Sequence, residues 1–538
     1  MAVPKLIGEL LAHRGISAAD AEAFFNPSVR DLALPEELPN AVEAAETILE
    51  AVRGKKKIVV FGDYDCDGIC ATAILVKALS AIGAEVSPFL PERLTEGYGM
   101  SEASVERMLG EFPDAGLVVT VDNGINSADL VASLCAKGVD VVVTDHHLPG
   151  DVLPDCLVVD PKVSHPERLE NLCGAGVAFL IARHILKKAF GEHPERSPGL
   201  SPFIVLAGLA TVTDVMPLLG QNRILVSEAL SRFDTRAPIG LKELFLKAAR
   251  RGSARHTSKD FGFLLGPRIN ASGRLASGTE ALRLVLAEDR EFAREAARVV
   301  DGRNDQRKSI EQKMLDEALA KVVEGAAAQV IDLPDGHQGV AGIVAARVME
   351  RMDPKVPVCV VVKGHGSARA PEGMNVRDAL AASGEFLDRF GGHAAAAGFS
   401  VREGMVDAFR ESFAKACACL ASEAAQTRGD DGVDAWVTPD DLTLDLAEWI
   451  LRLEPFGEGN PEPVFGMRDA VLRDIHPLGA DGRHLALKVG GMRSVWWGCG
   501  DIADELRRSS SAVRDVLFTV EESDYGGPHV ELRIVEIR

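Results

Sequence analysis

No stretch of this 538-residue chain approaches the roughly 18 uncharged apolar residues that a helix needs to cross a bilayer. Residues Met1–Gly15 also lack the apolar core of a secretory signal. These absences argue against a helical membrane protein, and the expectation is a cytoplasmic chain with no membrane partner. Cysteine is sparse, nine residues scattered without paired metal-ligand spacing. That odd, unpaired set reads as reduced thiols in a reducing compartment. Cys417 and Cys419, the one close pair, fall in an Ala-rich helical stretch and read as packing. Basic charge is also short, with 59 Lys and Arg against 80 Asp and Glu and a formal net charge of −21. Polyanion affinity comes mainly from cations that displace counterions, so this balance argues against a nonspecific coat on nucleic acid. Any nucleic-acid site must be focused, and the acidic surface favours a monomer with specific docking sites.

What is present is an ordinary globular composition, 46% hydrophobic and 26% charged. The length exceeds one core and implies about three or four domains. The densest feature is Ile58–Gly68, IVVFGDYDCDG. A short apolar run reads as a buried strand, and Asp63, Asp65 and Asp67 follow at alternate positions. Carboxylates this close repel one another unless a cation neutralises them, so the pattern points to a hard divalent metal.

Taken in order, residues 1–50 look helical, with Ser17 as an N-cap, and are expected to pack on the first large domain. From Lys57 short apolar strands alternate with helices, the first of which Gly83 can end. LVVTV (117–121) runs into Asp122-Asn123-Gly124, VDVVVT (139–144) into Asp145-His146-His147, and LVVDP (157–161) ends at Asp160. This alternation predicts an α/β fold with a doubly wound parallel sheet, whose ligands gather at the carboxyl ends of the strands. The rule brings Asp63, Asp65, Asp67, Asp122, His146 and His147 to one edge. Asp214, where the apolar segment of LATVTDVMPL ends, is a further candidate. Several oxygen ligands with one or two imidazoles suit Mn²⁺ or Mg²⁺ better than a thiolate zinc site.

Residues 184–202 read as a polar surface loop, and Leu218 to about Gly325 as mostly helical. This helical segment carries GPRINASGRL (266–275) and GRNDQRKSIEQKM (302–314). Arg268, Asn270, Arg274, Asn304, Arg307 and Lys308 are candidates to line a phosphate groove, Arg307 and Lys308 reading equally as a solvated helix face. Strands resume near Ala328, and Gly339 and Gly342 precede a helical run. GSARA (366–370) and FGGHAAAAGFSV (390–401) follow. Gly391-Gly392-His393 reads as a tight turn at a helix start, where backbone N–H groups bind anions. Ser367, Arg369 and His393 would form a compact phosphate-holding set. After a polar linker at about 423–433, LEPFGEGNPEPVF (453–465) leads into short strands that suggest a small barrel. Trp496, Trp497 and Tyr525 are candidates for base stacking, with core packing the commoner use of such tryptophans.

GDYDCDG, VDNG, TDHH and the TDVMPL aspartate together resemble the motifs of the DHH phosphoesterase superfamily. GSARA and GGHAAAAGFS resemble its DHH-associated second domain. The helical connection with GPRINASGR and the C-terminal LEPFGEGNPEP resemble the branch that degrades single-stranded DNA from its 5′ end. The resemblance implies a DHH catalytic domain at 51–217 after a lead-in at 1–50. A helical connector (218–325), a DHH-associated domain (326–422) and an OB-like nucleic-acid-binding domain (433–538) would follow. It implies two ions held by Asp63, Asp65, Asp67, Asp122, His146 and Asp214, with Asp122 bridging and Asp122, His146 and His147 catalytic. Ser367, Arg369 and His393, with Gly391 and Gly392, would hold the terminal phosphate, and Arg274 would guard the mouth of the cleft. A helicase and a single-strand-binding protein are the implied partners in recombination and repair. Two departures stand out. Phe61 occupies a position that is often a ligand histidine, and Ala370 one that is often serine. Alternatives are a DHH nano-RNase or cyclic-dinucleotide phosphodiesterase, and a noncatalytic DNA-binding scaffold.

Overall fold

A computed structural model describes residues 3–97, 99–191, 199–249, 255–424, 432–479, 481–508, 513–523, 527 and 529–538. The first sheet comprises β1 (Lys57–Phe61), β2 (Val86–Phe89), β3 (Ala115–Val121), β4 (Asp140–Thr144) and β5 (Leu157–Val159). Its order is β2-β1-β3-β4-β5, with every pair parallel. Ile58 and Val60 of β1 face one core, and Val59 and Phe61 face another with Met108, Val131 and Leu134. Both faces are therefore covered, as the near-continuous apolar strands require. Chain order reverses between β1 and β3, which makes their carboxyl ends the switch-point crevice of the sheet.

β2 was not apparent from the sequence. It is an edge strand containing Ser87 and Pro88, and an edge tolerates the missing proline donor. The Cys66–Ala81 helix that follows β1 is buried almost all round, against the sheet and the helices Gly174–Phe190 and Ser201–Thr213. Gly83 ends it with a φ of 78°, as expected.

The helices Gly220–Arg236, Ile239–Ala248, Gly266–Leu275 and Thr279–Leu286 bury their apolar faces in the same core as the first sheet. The connector thus continues the first domain. Arg290–Leu319 is a 30-residue strut. Its early turns join that core through Ala297 and Val300, and its last turns join the second domain through Met314, Leu315 and Ala318.

The second domain contains β6 (Gln329–Asp332), β7 (Val358–Val362), β8 (His365–Arg369), β9 (Leu387–Gly392) and β10 (Ala396–Val401), ordered β6-β7-β8-β10-β9. Only β6 and β7 run parallel. Gly391-Gly392-His393 therefore does not start a helix. It ends β9 at the exposed tip of a hairpin, where His393 N–H donates to Ala396 O at 2.8 Å. Gly339 and Gly342, placed ahead of a helix by the sequence, lie inside its first turns (Gln338–Glu350).

The C-terminal domain adds β11 (Ala435–Trp436), β12 (Phe465–Leu478), β13 (His484–Val489), β14 (Met492–Trp496), β15 (Val513–Ser523) and β16 (His529–Ile537). Pairing of β12 with both β13 and β15 closes a five-stranded barrel, β12-β13-β14-β16-β15. Trp496 packs against the barrel core, whereas Trp497 is 53% exposed beside the His484 ring. Tyr525 lies outside the described residues.

The N-terminal lead-in divides between domains. Ala41–Arg53 packs on the first core, as expected of 1–50. Lys5–His13 and Ala21–Phe25 instead bury Ile7, Leu10, Leu11 and Phe24 with Trp449 and Ile450 of the C-terminal domain. Ser17 accepts from Asp20 N–H one turn before the Ala21 helix, whose N-cap is Asp20.

Candidate active site

The three aspartates of GDYDCDG, the first of the motifs, have different local duties. Asp65 caps the Cys66–Ala81 helix, its Oδ1 accepting from the N–H groups of Asp67 and Gly68 at 2.9 and 3.0 Å. Asp67 is clasped by the start of the Gly174–Phe190 helix, its oxygens accepting from Gly174 and Ala175 N–H at 2.7 Å each. Asp63 is fully buried, and among the described residues neither of its oxygens meets a donor.

Asp122 ends β3 with a φ of 61°, a left-handed conformation that turns its carboxylate into the crevice. A Cβ at Gly174 would stand 2.6 Å from Asp122 Cβ, so the helix that clasps Asp67 approaches Asp122 only because that position is glycine. His146 Nε2 lies 3.0 Å from Asp122, 3.5 Å from Asp67 and 3.6 Å from Asp214. Asp214 arrives from a different kind of element than its neighbours, the C-cap of the Ser201–Thr213 helix rather than a strand end.

Among the described residues, ligand atoms come within 4.8 Å of one another in three groups: Asp63 with Asp65 and Asp122, Asp122 with His146 and His147, and Asp67 with His146 and Asp214. Shared membership of Asp122 and His146 joins all seven side chains.

Asp145 holds the histidines in place. Its carboxylate meets His147 Nδ1 at 2.7 Å and accepts from the N–H groups of His146 and Ile125. Although burial disfavours a charged imidazole, the Asp145 hydrogen bond pushes His147 up to about 9. His146 goes the other way, lowered by burial, and its Nε2 lacks a hydrogen-bond partner.

Burial foremost, then neighbouring aspartates, pushes Asp63 and Asp122 far above the usual carboxylate range. The same causes push Asp214 up to about 9. Such a set cannot hold all its charges unaided. Orphaned Asp63 oxygens, a neutral imidazole and an oxygen-rich donor set fit Mn²⁺ or Mg²⁺. Phe61, by contrast, packs on Phe89 at 5.0 Å inside the core, so this position supplies no ligand.

The phosphate candidates separate into two sets. Arg274, Ser367 and Arg369 converge on the start of the Gln338–Glu350 helix. A Cβ at Gly339 would stand 2.1 Å from Arg274 O, and one at Gly342 would stand 2.7 Å from Arg369 Nη2 and 3.5 Å from Ser367 Cβ. Arg274 donates to Gly339 O, and Arg369 to Ala368 O. Burial and neighbouring cations, Arg93 foremost, lower both arginines, Arg274 to about 10. The helix start expected at 391–393 is thus at 338–342.

Arg268 does not join this set, and Asn270, which lines a cavity with Arg274, is engaged elsewhere. Arg268 is tied to Asp301 and Leu264 O. Asn270 accepts from Cys66 N–H at 2.7 Å and so braces motif one. Arg307 is buried with Asn304 and Glu311, and Lys308 pairs with Asp305. His393 and the two glycines before it are exposed on the hairpin, and Ala370 is buried.

Arg93 was missed. It lies over the Tyr64 ring at 5.3 Å and acts electrostatically on Arg274, Arg369 and His337. It follows β2, so the edge strand that went unread is also the signal that would have found it.

A parallel sheet with aspartates and an Asp-His-His run at its carboxyl edge, linked by helices to a second α/β domain, defines a DHH-type phosphoesterase. Residues 57–207 match the DHH family N-terminal domain, 324–418 the DHHA1 domain and 433–536 the RecJ OB domain. The single-stranded-DNA-specific exonuclease RecJ of Dickeya dadantii is 35% identical over 99% of this chain and 96% of its own length. That of Thermus thermophilus is 39% identical over 86% of this chain and 66% of its own length. The crystal structure of Thermus thermophilus RecJ in complex with Mn²⁺ superposes with a TM-score of 0.84 at 32% identity, covering 99% of this chain and 76% of that one. The chain belongs to the RecJ family.

Proposed function

We propose that the chain is a metal-dependent exonuclease that hydrolyses single-stranded DNA from its 5′ end to 5′-mononucleotides. The observation that carries this reading is the opposition of two fields, a buried cluster of five aspartates and two histidines and a face of arginines without acidic partners. Among the described residues no carboxylate pairs with Arg93, Arg274 or Arg369. Bound at the aspartates, two divalent ions would lower the pKa of a shared water and draw charge from the scissile phosphate.

We assign Asp63, Asp65, Asp67, Asp122, His146 and Asp214 as ligands, with Asp122 between the two sites. His147, kept protonated by Asp145, is suited to donate to a phosphoryl oxygen as charge grows there. Arg369, Ser367 and Arg274, with Arg93, are suited to hold the terminal phosphate, which would fix polarity by seating the 5′ end. His393 and its glycines, on the neighbouring hairpin, close that pocket in this reading. The barrel follows the DHH-associated domain as a second hold on a long strand. An enzyme confined to single strands needs duplex opened and strands protected, so a helicase and a single-strand-binding protein are the partners proposed, in recombination and repair.

The test is degradation of a single-stranded oligonucleotide labelled at either end, with Mn²⁺ or EDTA and a blunt-duplex control. Metal-dependent release of labelled mononucleotide from the 5′ end supports the reading. Cutting of di- to tetranucleotides or cyclic dinucleotides alone would replace it with a short-substrate phosphodiesterase, and binding without cutting would leave a scaffold.

A further inference from the structure

Residues 214–219, which carry Asp214 out of its helix, form neither helix nor strand. Val215 has a φ of 56°, an uncommon conformation for a β-branched residue. The N–H groups of Asp214, Val215 and Met216 bond back to Ala210, Val212 and Thr211 O of that helix. Beyond Met216 the segment is held from outside, by Asn222 and by the C-terminal domain.

Residues 453–462 lead from the Leu444–Leu453 helix into the barrel and lie against Pro217 and Leu218. Leu218 N–H donates to Glu458 O at 2.7 Å. A Cβ at Gly457 would stand 2.7 Å from Leu218 Cδ1, and one at Gly459 would stand 3.2 Å from Pro217 Cβ, so the two segments are in close contact. The loop is held internally by Asn460, which is fully buried. Its Nδ2 donates to Leu453 O and Pro455 O at 2.8 Å each, and its Oδ1 accepts from Arg14. Arg223 fixes the start of the loop, donating to Leu453 O at 2.9 Å and to Glu454 O at 2.7 Å.

On the other side Asn222 donates through one amide to Pro217 O at 3.1 Å and to Asn171 O at 2.6 Å. Asn171 lies three residues before Gly174, whose N–H holds Asp67. Pro217 and Leu218 are thus clamped between the Asp67 side of the metal centre and the C-terminal loop.

We propose that loop 453–462 is a positioning element of the metal centre, with Asn460 as its central positioning residue. By fixing Pro217 and Leu218 it sets where the Asp214 carboxylate stands. The C-terminal domain then acts on metal binding and turnover, in addition to any hold on the strand. The inference rests on the reading of Asp214 as a metal ligand.

The test uses the full chain with Asn460→Ala. Mn²⁺ binding is measured by calorimetry and by the Mn²⁺ spin-resonance spectrum, and kcat and KM on a 5′-phosphorylated dinucleotide and on a long strand. Groups that orient metal ligands are commonly worth about 10- to 100-fold. The expected result is a loss of about tenfold in affinity at one Mn²⁺ site and in kcat on the dinucleotide, with KM for it unchanged within about twofold.

Gly457→Ala asks only that the Leu218 side chain shift, so it should move the same quantities less and serves if Asn460→Ala does not fold. Ile534→Ala, in the barrel core away from the loop, should lower stability without moving Mn²⁺ affinity. Parental Mn²⁺ affinity and dinucleotide kcat in both loop variants, with only the long-strand KM raised, would overturn the proposal. A parent chain that takes up no Mn²⁺ and cuts no strand would instead defeat the reading of the site itself.

Discussion

The carboxyl edge of the first sheet and the facing edge of the second domain are opposites in charge and in construction. The first gathers five aspartates around two histidines that Asp145 orients: Asp63 and Asp122 follow strand ends, Asp65 and Asp67 open a helix, and Asp214 ends one. The second presents Arg369 and Ser367 on one strand against a helix start, with Arg274 and Arg93 reaching in from the first domain. Each field is costly alone, because burial and like charge push the aspartates up and the arginines down. A divalent cation would relieve the first and, in the proposed reading, a phosphate the second. Arg93 acts electrostatically on Asp63 as well as on Arg274 and Arg369, so the two unsatisfied fields adjoin, although the net charge is strongly negative.

The largest effect that tests this opposition falls on Asp122, one of the two residues shared between ligand groups. Asp122→Ala should lower kcat/KM with Mn²⁺ at least about a thousandfold, read by single-turnover cleavage of a 5′-labelled strand. Activity within about tenfold of the parent would place the chemistry elsewhere.

Next comes the metal itself. Mn²⁺ at about 100 times its dissociation constant should stabilise the folded chain by about 2.7 kcal/mol, seen as a rise in the unfolding midpoint that EDTA reverses. Asp63→Asn, which removes a charge with no donor beside it, should stabilise the metal-free protein and shrink that rise. An undiminished rise would move Asp63 out of the ligand set.

On the opposite field, Arg369→Ala should raise KM for a 5′-phosphorylated strand about thirtyfold, the scale of a charge-assisted hydrogen bond. The variant should lose the distinction between 5′-phosphate and 5′-hydroxyl ends while kcat at saturation stays close to that of the parent. Equal losses on both kinds of end would show that Arg369 supports the fold and does not read the terminus.

What could be read in advance follows from how each feature is encoded. The switch-point acids were legible because strand, turn and ligand lie within a few residues, as in Ile58–Asp67 and Val118–Asp122. Asp214 was legible by type, but its helix was not, since an apolar run that ends on an aspartate has no period that separates helix from strand. Gly391-Gly392-His393 misled for the same local reason, because glycines before a run of alanines serve a hairpin as readily as a helix start. The hydrogen bonds of Arg268 to Asp301 and of Asn270 to the Cys66 N–H were not legible, because those partners lie 33 and 204 residues away. The first two helices were assigned to the wrong domain since nothing in residues 5–25 names Trp449 as their neighbour. Local chemistry is written in the sequence, and long-range pairing is not.

The smallest effect marks where the acidic field ends. Asp160 closes β5, one strand beyond Asp145, and is 1% exposed. Its Oδ1 accepts from Lys162 N–H at 2.7 Å, while Oδ2 meets no donor. Burial first, and the Asp145 charge among the further causes, push its carboxyl up to about 7. A carboxyl raised in the fold binds a proton there that the unfolded chain releases, so its contribution is complete below about pH 4 and is lost as pH rises to about 7. Asp160→Asn keeps the Oδ1 acceptor and carries no charge. The variant should therefore unfold a few degrees above the parent near pH 8, with the gap closing steadily from about pH 7 to about pH 4. Cleavage should stay at the parental rate, because Asp160 belongs to none of the ligand groups. A gap of constant size across that range would mean that Asp160 titrates in the fold as it does in the unfolded chain and carries its charge there, and the acidic field would then stop at Asp145.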